Sequence, residues 1–283
     1  MTPKFSFCHS EWSRGIYTCR KGRFLYFARN VRPGKTTLGN RISQIGRIGI
    51  ITISTFLLPL LPCRSQTMAD EPVNENNITP WTDEDKEAYE GIYFFGFSEG
   101  ESKLILAIDN EMVNAQVSDY DWVELNDSIA DWHPNFENYT NVKIEGNKFY
   151  SDQTEGEFVI YDNGKTQLMC LMLDIPPNAY DDEPELGDRS THNKLEYVNG
   201  KYPETKFEII PFTRLKEMSS AQLKIMRNEI FARYGYIFIE GGAMDKWFRA
   251  QSWYTPLFKD VNKFITEIER QNIQNILAEE KSR

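Results

Sequence analysis

Short apolar runs separated by turn residues fill the middle of the chain, from about residue 89 to residue 173. Runs of this kind, bounded by Gly, Asn and Asp, are typical of antiparallel strands. The clearest pair is joined through Asn163-Gly164, a dipeptide that supplies the positive φ angles of a tight hairpin turn. Three hairpins are predicted, and they pair 103–108 with 112–117, 142–144 with 148–150, and 158–161 with 166–171. Consecutive hairpins make a meander, which has to close into a small barrel or be covered as an open sheet.

The apolar period becomes helical in the last quarter of the chain. Ser219 and Gln222 have the spacing of a capping box, which predicts a helix that starts directly after Ser219 and ends at Gly235. Residues 206–212, ahead of this helix, are interpreted as one more strand. A last helix is predicted from a stripe of apolar positions near the C-terminus, namely Val261, Phe264, Ile265, Ile268 and Ile276. The fold class is therefore α+β: an antiparallel β meander, either an open sheet or a small barrel, followed by a small C-terminal helical domain.

The same patterns divide the chain into four segments. Residues 174–206 break the strand pattern with prolines and acids, so they are interpreted as a long acidic surface loop within the β-rich part. Residues 64–80 are polar and aperiodic, which is typical of a flexible tether. The predicted order is a basic leader with an export signal at 1–63, the tether at 64–80, a β-rich domain at 81–210 and a helical domain at 211–283.

The first part of the chain has the charge layout of an export signal. Residues 1–47 contain ten Lys or Arg and a single acid, and an apolar run follows at 48–62. That run has fifteen residues, fewer than the roughly twenty that a membrane-spanning helix needs. Leu60-Leu61-Pro62-Cys63 then resembles a bacterial lipoprotein cleavage box, in which the Cys63 thiol is lipidated. Three outcomes stay open: lipidation at Cys63, cleavage a few residues later, and an uncleaved anchor.

These alternatives predict an exported protein, held at a membrane as a lipoprotein or free in the periplasm or outside the cell. A start site downstream of Met1 is a further hypothesis, since the basic leader is long for a signal. The leader carries a formal +9, which leaves −19 on the rest of a chain whose net charge is −10. A body with that charge repels phosphate backbones, so nucleic acid is not an expected partner. Cys170, the single cysteine after Cys63, is interpreted as a small buried hydrophobe.

A series of separated motifs marks the C-terminal segment. They include Arg227-Asn228, Phe231-Ala232-Arg233-Tyr234-Gly235, Trp253-Tyr254-Thr255-Pro256 and Glu269-Arg270-Gln271-Asn272. In this order they resemble the YARHG domain, a family named for Tyr-Ala-Arg-His-Gly, over roughly residues 212–280. The resemblance implies an exported bacterial protein, and the family brings no established activity. Two positions depart from the family motif, because Phe231 lacks the Tyr hydroxyl and Tyr234 replaces the titratable imidazole, which argues against a proton-transfer role here.

One arginine occupies an unusual position on the first predicted helix. At about 100° per residue, Arg227 falls inside the apolar stripe of that helix, which is formed by Leu223, Met226, Ile230 and Tyr234. Burying a guanidinium without a partner is costly, so the fold should bring it a carboxylate or several oxygens. Glu269 and Asn272, on the last predicted helix, are the predicted partners of Arg227.

The motif residues support two interpretations. In the first they are structural, with Glu229 and Arg233 as a helical ion pair and with the aromatic residues in the core. In the second they form a binding surface, whose candidate residues are Arg227, Asn228, Arg233, Tyr234, Trp253 and Tyr254. Exposed Trp253 and Tyr254 would then stack on sugar rings or grip a peptide.

The sequence favours a non-catalytic binding or interaction module of the cell envelope, with unknown molecular activity. Its expected partner is an envelope protein, a peptide or a cell-wall polymer, and no cofactor or metal is expected. One alternative is a small-molecule carrier that uses the interior of a β-barrel, which would require an apolar cavity. Another is an envelope hydrolase built on His133 and His192, although neither histidine has the spacing of a metal or nucleophile motif.

Overall fold

The computed structural model describes residues 74–96, 101–126, 129–177 and 184–283. The predicted leader, with Cys63, and residues 64–73 of the predicted tether lie outside these residues. The prediction of a tether up to residue 80 is wrong at its end, because Glu75–Asn77 form a 3-10 turn and Ile78–Pro80 form a strand of the sheet. Contacts divide the chain into a unit that ends at Pro62 and a second unit, Cys63–Arg283, to which the following architecture belongs. Among the described residues, no helix has the length and apolar character needed to cross a membrane.

The described residues form one antiparallel sheet of ten strands. The strands are β1 (Ile78–Pro80), β2 (Gly91–Phe95), β3 (Ser102–Asp109), β4 (Met112–Asn126), β5 (Ile129–Asn138), β6 (Lys143–Glu145), β7 (Lys148–Tyr150), β8 (Glu155–Asp162), β9 (Gln167–Leu173) and β10 (Glu185–Arg189). Nine of them follow one path of neighbours, in the order β5-β4-β3-β2-β10-β9-β8-β7-β6, while β1 pairs with β8. The predicted α+β class is confirmed in its open form, because the sheet curls as a half-barrel and helices follow it.

All three predicted hairpins are present. They are β3–β4, β6–β7 and β8–β9, and each has a continuous antiparallel register. Their turns contain residues that tolerate positive φ angles, with Asn110 at 54°, Gly146 at 58° and Gly164 at 79°. Local turn chemistry therefore accounts for the register of these pairs.

The predicted acidic loop at 174–206 is interrupted by a strand. β10 lies between β2 and β9, in the middle of the sheet. Its sequence, Glu185-Leu186-Gly187-Asp188-Arg189, lacks β-branched and aromatic residues, so its strand propensity is low. Hydrogen bonding to a neighbouring strand along both edges stabilises the extended conformation instead. Gly187 is required there, because a Cβ at this position would overlap the ring of Phe95. The interpretation of the whole segment as a loop was therefore wrong.

Residues 206–212 do not form the predicted strand. A 3-10 turn, Pro203–Lys206, and helix α1, Phe212–Glu217, occupy the two ends of this segment. Its backbone donors do not meet a neighbouring strand. The amides of Phe207 and Glu208 donate to Glu204 O of the preceding turn, and the amide of Ile210 donates to Asn272 Oδ1 at 2.8 Å. The apolar pattern thus marks a connection whose backbone is satisfied by the preceding turn and by side chains in place of a strand ladder.

One cluster of buried side chains fills the concave face of the sheet. It draws on strands from both halves of the strand order, from β4 to β6, which is why the sheet curls around it. Tyr89 and Phe158 stack with their ring centroids 4.2 Å apart, and Trp81 meets Tyr89 edge to face. The cluster comprises Trp81, Tyr89, Tyr93, Phe95, Leu104, Leu106, Ile108, Ala115, Val117, Ile144, Phe149, Phe158, Leu171 and Leu173.

Four α-helices lie among the described residues: α1, α2 (Ser220–Arg233), α3 (Ala243–Arg249) and α4 (Glu267–Lys281). The predicted capping box of Ser219 and Gln222 starts α2, and Gly235, at a φ of 73°, follows its end. A second capping box, Thr266 with Glu269, starts α4. The last helix therefore begins later than predicted, and three residues of its predicted stripe precede it, namely Val261, Phe264 and Ile265.

Helix α4 packs on the face of the sheet opposite the concave cluster. Ile268 of α4 lies in one cluster with Ile92 of β2 and Ala107 of β3. These two strand residues alternate with side chains that enter the concave core, as the period of two along a strand requires. Sheet and helices thus share a core within one compact unit, and the predicted domain boundary near residue 210 stays a prediction.

Candidate functional site

A closed polar network lies where β4, α2 and α4 meet. Lys206, at 4% exposure, directs its ammonium to three oxygens: Gln116 Oε1 at 2.6 Å, Tyr234 OH at 2.7 Å and Glu269 Oε2 at 3.4 Å. The hydroxyl of Tyr234 in turn donates to Glu269 Oε2 at 2.5 Å. A buried ammonium needs a compensating anion, so Glu269 is the group that permits Lys206 to lie inside the protein.

Glu269 is fixed by the start of its own helix. It is the third helical residue of the capping box, so its Oε2 accepts both the amide and the hydroxyl of Thr266 at 3.1 Å. Its Oε1 has no hydrogen bond within the described residues and lies 3.9 Å from Arg233 Nη1. Two cations, Lys206 and Arg233, therefore flank a carboxylate that solvent does not reach.

Arg233, the arginine of the motif, ties α2 to the segment before α1. Its Nη1 donates to Thr205 Oγ1 at 2.8 Å, and its Nε donates to Asn199 O at 2.9 Å. Its Nη2 donates to Tyr202 O and, at 2.9 Å, to Glu229 Oε1. The predicted ion pair of Glu229 and Arg233 is thus present, but it is buried rather than exposed.

Burial sets the ionisation of this network. It lowers the pKa of Lys206, while the nearby Glu269 carboxylate opposes that fall. Burial also raises the pKa of Tyr234 well above its ordinary value, and Glu269 adds to the rise. Tyr234 is therefore a neutral hydrogen-bond donor at physiological pH. Lys206, Tyr234 and Glu269 are each at most 4% exposed, so the network holds segments of the protein together and offers no surface to a substrate.

The predicted pairing of Arg227 with Glu269 and Asn272 is wrong. Arg227 Nε donates to Glu280 Oε2 at 2.8 Å, near the end of α4. Helices α2 and α4 run antiparallel. Arg233, at the end of α2, lies near the first turn of α4, so Arg227, nearly two turns earlier in α2, lies near the last turns of α4. Asn272 instead satisfies backbone groups of the connection before α1.

Three of the predicted binding residues lie inside the protein. Arg233 and Tyr234 belong to the polar network, and Tyr254 is 7% exposed and donates its hydroxyl to Tyr236 O at 2.6 Å. Trp253 is partly buried in the aromatic cluster that contains Tyr254. The assignment of Arg233, Tyr234 and Tyr254 to a binding surface is corrected accordingly, because packing and internal hydrogen bonds occupy their side chains.

The other two predicted binding residues, Arg227 and Asn228, line an open groove. The groove has a volume of about 460 Å³, and it is lined by α2, by Tyr236 just after that helix, and by the connection between α3 and α4. Phe231, the first residue of the motif, is part of the same surface. The full lining is Arg227, Asn228, Phe231, Tyr236, Lys259, Asp260, Val261 and Asn262.

One wall of this groove was missed in the sequence. Lys259, Asp260 and Asn262 surround Val261, which was assigned to the start of the last helix. The amide of Asn262 donates to Asp260 Oδ1 at 2.8 Å, a local turn for which an aspartate two residues earlier is the signal. Lys206 was missed as well, and no periodic feature marks it.

Residues named for the alternative functions do not come together. His133 lies on β5 at the edge of the sheet, whereas His192 follows β10 in its middle. Cys170 is fully buried, as predicted, and burial raises the pKa of its thiol to about 12. In the described part of the chain, no three His, Cys, Asp or Glu side chains are grouped to hold a metal ion. The concave face, which a carrier would need as a cavity, is filled by the packed core.

The C-terminal part of the chain matches a known domain family. The model of the YARHG domain matches residues 208–281, which confirms the predicted resemblance. This stretch is about a quarter of the chain, and it contains α2, α4 and every residue that lines the groove. It includes Arg233, Tyr234 and Glu269 of the network, whereas Lys206 and Gln116 lie outside it. No curated protein and no solved structure shows a significant similarity to the chain.

Proposed function

Taking the YARHG domain at residues 208–281 as the premise, we propose that this chain is an exported bacterial cell-envelope protein that binds a partner without catalysing a reaction. Its contact surface is the groove lined by Arg227, Asn228, Phe231 and Tyr236. The partner is an envelope protein, a peptide or a cell-wall polymer.

The observation that carries the proposal is the division of roles within helix α2. Arg233 and Tyr234 are buried, and they fix α2 to the sheet and to α4. Arg227, Asn228 and Phe231 lie on the same helix and line an open groove. Cations, amides and aromatic rings around a groove are suited to polar and stacking contacts with a peptide or polymer.

The export signal predicted from the sequence supports the same proposal. In this account Cys63 carries the lipid anchor, the residues between Cys63 and the 3-10 turn that begins at Glu75 are the tether, and the sheet and helices are the body that reaches a partner. Intact-mass analysis of the protein from its native membrane fraction tests the anchor. A mass that begins at Cys63 and includes acyl chains supports it, whereas a mass that begins a few residues later, in a soluble fraction, replaces it with a free periplasmic or secreted protein.

Retention on an envelope fraction tests the groove itself. The purified full-length chain is passed over immobilised peptidoglycan and over immobilised envelope proteins, beside an Asn262→Trp variant. Asn262 is exposed at the groove, so a bulky side chain there blocks the surface and leaves the core alone. Lys165→Trp, exposed in the β8–β9 turn, is the matched control.

The proposal expects the wild type and Lys165→Trp to be retained on one of the two matrices, and Asn262→Trp to pass through. Equal retention of all three proteins would place the contact elsewhere on the molecule. Failure of the wild type to be retained on either matrix would contradict the proposed binding role.

A further inference from the structure

One edge of the Arg227 guanidinium forms an ion pair with Glu280, and the opposite edge is available to a ligand. Glu280 Oε2 accepts the hydrogen bond from Nε at 2.8 Å, and the two side chains are 22% and 18% exposed. Among the described residues, nothing accepts a hydrogen bond from either terminal amino group of Arg227. The Glu280 carboxylate thus orients the guanidinium, and the terminal N–H groups can donate into the groove that Arg227 lines.

A second cation lines the same groove. Lys259 is exposed, and within the described part of the chain it forms no ion pair. Asn228 donates Nδ2 to Lys224 O at 2.7 Å, which leaves its carbonyl oxygen available to a ligand. Asp260 is the carboxylate among the lining residues, and one of its oxygens accepts the amide of Asn262.

An aromatic wall stands beside these polar groups. The rings of Phe231 and Tyr236 have centroids 6.0 Å apart and are tilted by 58°. Both side chains are partly buried against the cores of the helical part while they also line the groove. Aromatic side chains held in this way are rigid apolar surfaces, on which a flat group packs at little entropic cost.

We infer that this groove binds an oxyanion carried next to a flat apolar group. A guanidinium presents paired N–H donors that match two oxygens of a carboxylate or a phosphate, and Lys259 adds a second positive charge. Asp260 repels a bare anion, so it selects a ligand that also offers an N–H donor. The inference names the ligand chemistry of the groove, and it therefore rests on the proposed function.

A small probe carries all three features. N-acetyl-L-phenylalanine has an aromatic ring, an amide N–H and a carboxylate, and its binding to the purified full-length chain is measured by ligand-observed NMR. N-acetyl-L-phenylalanine amide, which lacks the carboxylate, is the control. The acid is expected to bind at least about tenfold more tightly than the amide, as loss of a charge-assisted pair of hydrogen bonds implies. Phenyl phosphate and benzoate, which both lack the amide N–H, distinguish the two oxyanions: tighter binding of phenyl phosphate identifies a phosphate ligand, and tighter binding of benzoate identifies a carboxylate.

Two variants locate the bound oxyanion. Arg227→Gln is expected to weaken binding of the acid about tenfold, and Lys259→Gln a few-fold, because each removes one charge from the groove. Arg270→Gln, an exposed arginine on α4 outside the groove, and Lys165→Gln are the controls and should leave binding unchanged. Arg227→Gln also breaks the contact with Glu280, so the exposed Lys259→Gln keeps the test valid if the first variant fails to fold.

Equal binding of the acid and the amide would overturn the inference, as would the absence of binding for both. Insensitivity to Lys259→Gln and Arg227→Gln would overturn it too, by placing the probe elsewhere. These failures are separate from failure of the proposed function. If Asn262→Trp abolishes envelope retention while the acid and the amide bind equally well, the proposed binding surface is supported and the inferred oxyanion ligand is refuted.

Discussion

The buried carboxylate of Glu269 makes the sharpest prediction about stability. Its Oε2 accepts hydrogen bonds from Tyr234 OH, Lys206 Nζ and both donors of Thr266, and Arg233 lies 3.9 Å from its Oε1. Glu269→Gln removes the negative charge and leaves the ammonium of Lys206 buried with neutral partners only. Breaking a buried ion pair in this way costs about 3–5 kcal/mol of unfolding free energy.

The same helix provides a matched control. Glu267→Gln is the same substitution two residues earlier, where the carboxylate is 62% exposed and lies 3.4 Å from an exposed arginine. Both positions are in the first turn of α4, so the loss of the favourable interaction with the helix dipole is similar in the two variants. Glutamine also satisfies the capping box, which keeps the start of the helix intact. Glu267→Gln should therefore cost no more than about 0.5 kcal/mol.

Urea unfolding of the full-length chain, followed by circular dichroism, measures both variants. A difference of at least about 2 kcal/mol between them is expected, with unchanged m-values. The double variant Lys206→Met with Glu269→Gln should recover part of the loss, because it removes the stranded cation. Costs that agree within about 0.5 kcal/mol for Glu269→Gln and Glu267→Gln would refute the assignment of Glu269 as the anion of a closed network.

Other changes test separate features of the fold. Burial raises the pKa of Asp188 to about 6, so between pH 4 and 6 the folded state keeps a proton that the unfolded chain has lost. Stability should fall as pH rises through that window. Because Asp188 is partly exposed and solvent screens its charge, Asp188→Asn should gain about 1–2 kcal/mol over the wild type at pH 7 but little at pH 4; parallel pH profiles in urea would disprove this. Gly200→Ala should lower the free energy of unfolding by roughly 1–3 kcal/mol more than Gly164→Ala does. Both glycines have positive φ, but only at Gly200 would a Cβ overlap the Glu229 carboxylate. Equal melting temperatures of the two variants would contradict this prediction. Cys63→Ser should shift the protein from the membrane to the soluble fraction, and an unchanged distribution would exclude the lipid anchor.

Structural features that depend on a few neighbouring residues could be predicted from the sequence. Asn163-Gly164 marks a hairpin turn, in which Gly164 has a positive φ angle and Asn163 Oδ1 accepts the amides of Lys165 and Thr166. Ser219 with Gln222 determines where α2 begins. The family resemblance also depended on several short motifs, and residues 208–281 confirm it.

Features that depend on distant partners were not predictable in the same way. β10 is a strand because β2 and β9 pair with both of its edges, and its own residues carry no strand propensity. The partner of Arg227 depends on the direction and register of α4 relative to α2, which a helical wheel does not contain. Lys206 is buried only because three elements bring oxygens to it, so its local sequence resembles that of a surface lysine.

The central claim is that the groove beside the YARHG motif contacts an envelope partner. Site-specific photo-crosslinking in living cells tests it most directly, with a benzophenone amino acid at Asn228 in the groove and, as control, at Lys165 in the β8–β9 turn. The account predicts a discrete covalent product from position 228 that is absent from position 165 and is lost when Asn262→Trp blocks the groove. No product from position 228, or the same product from both positions, would contradict the claim.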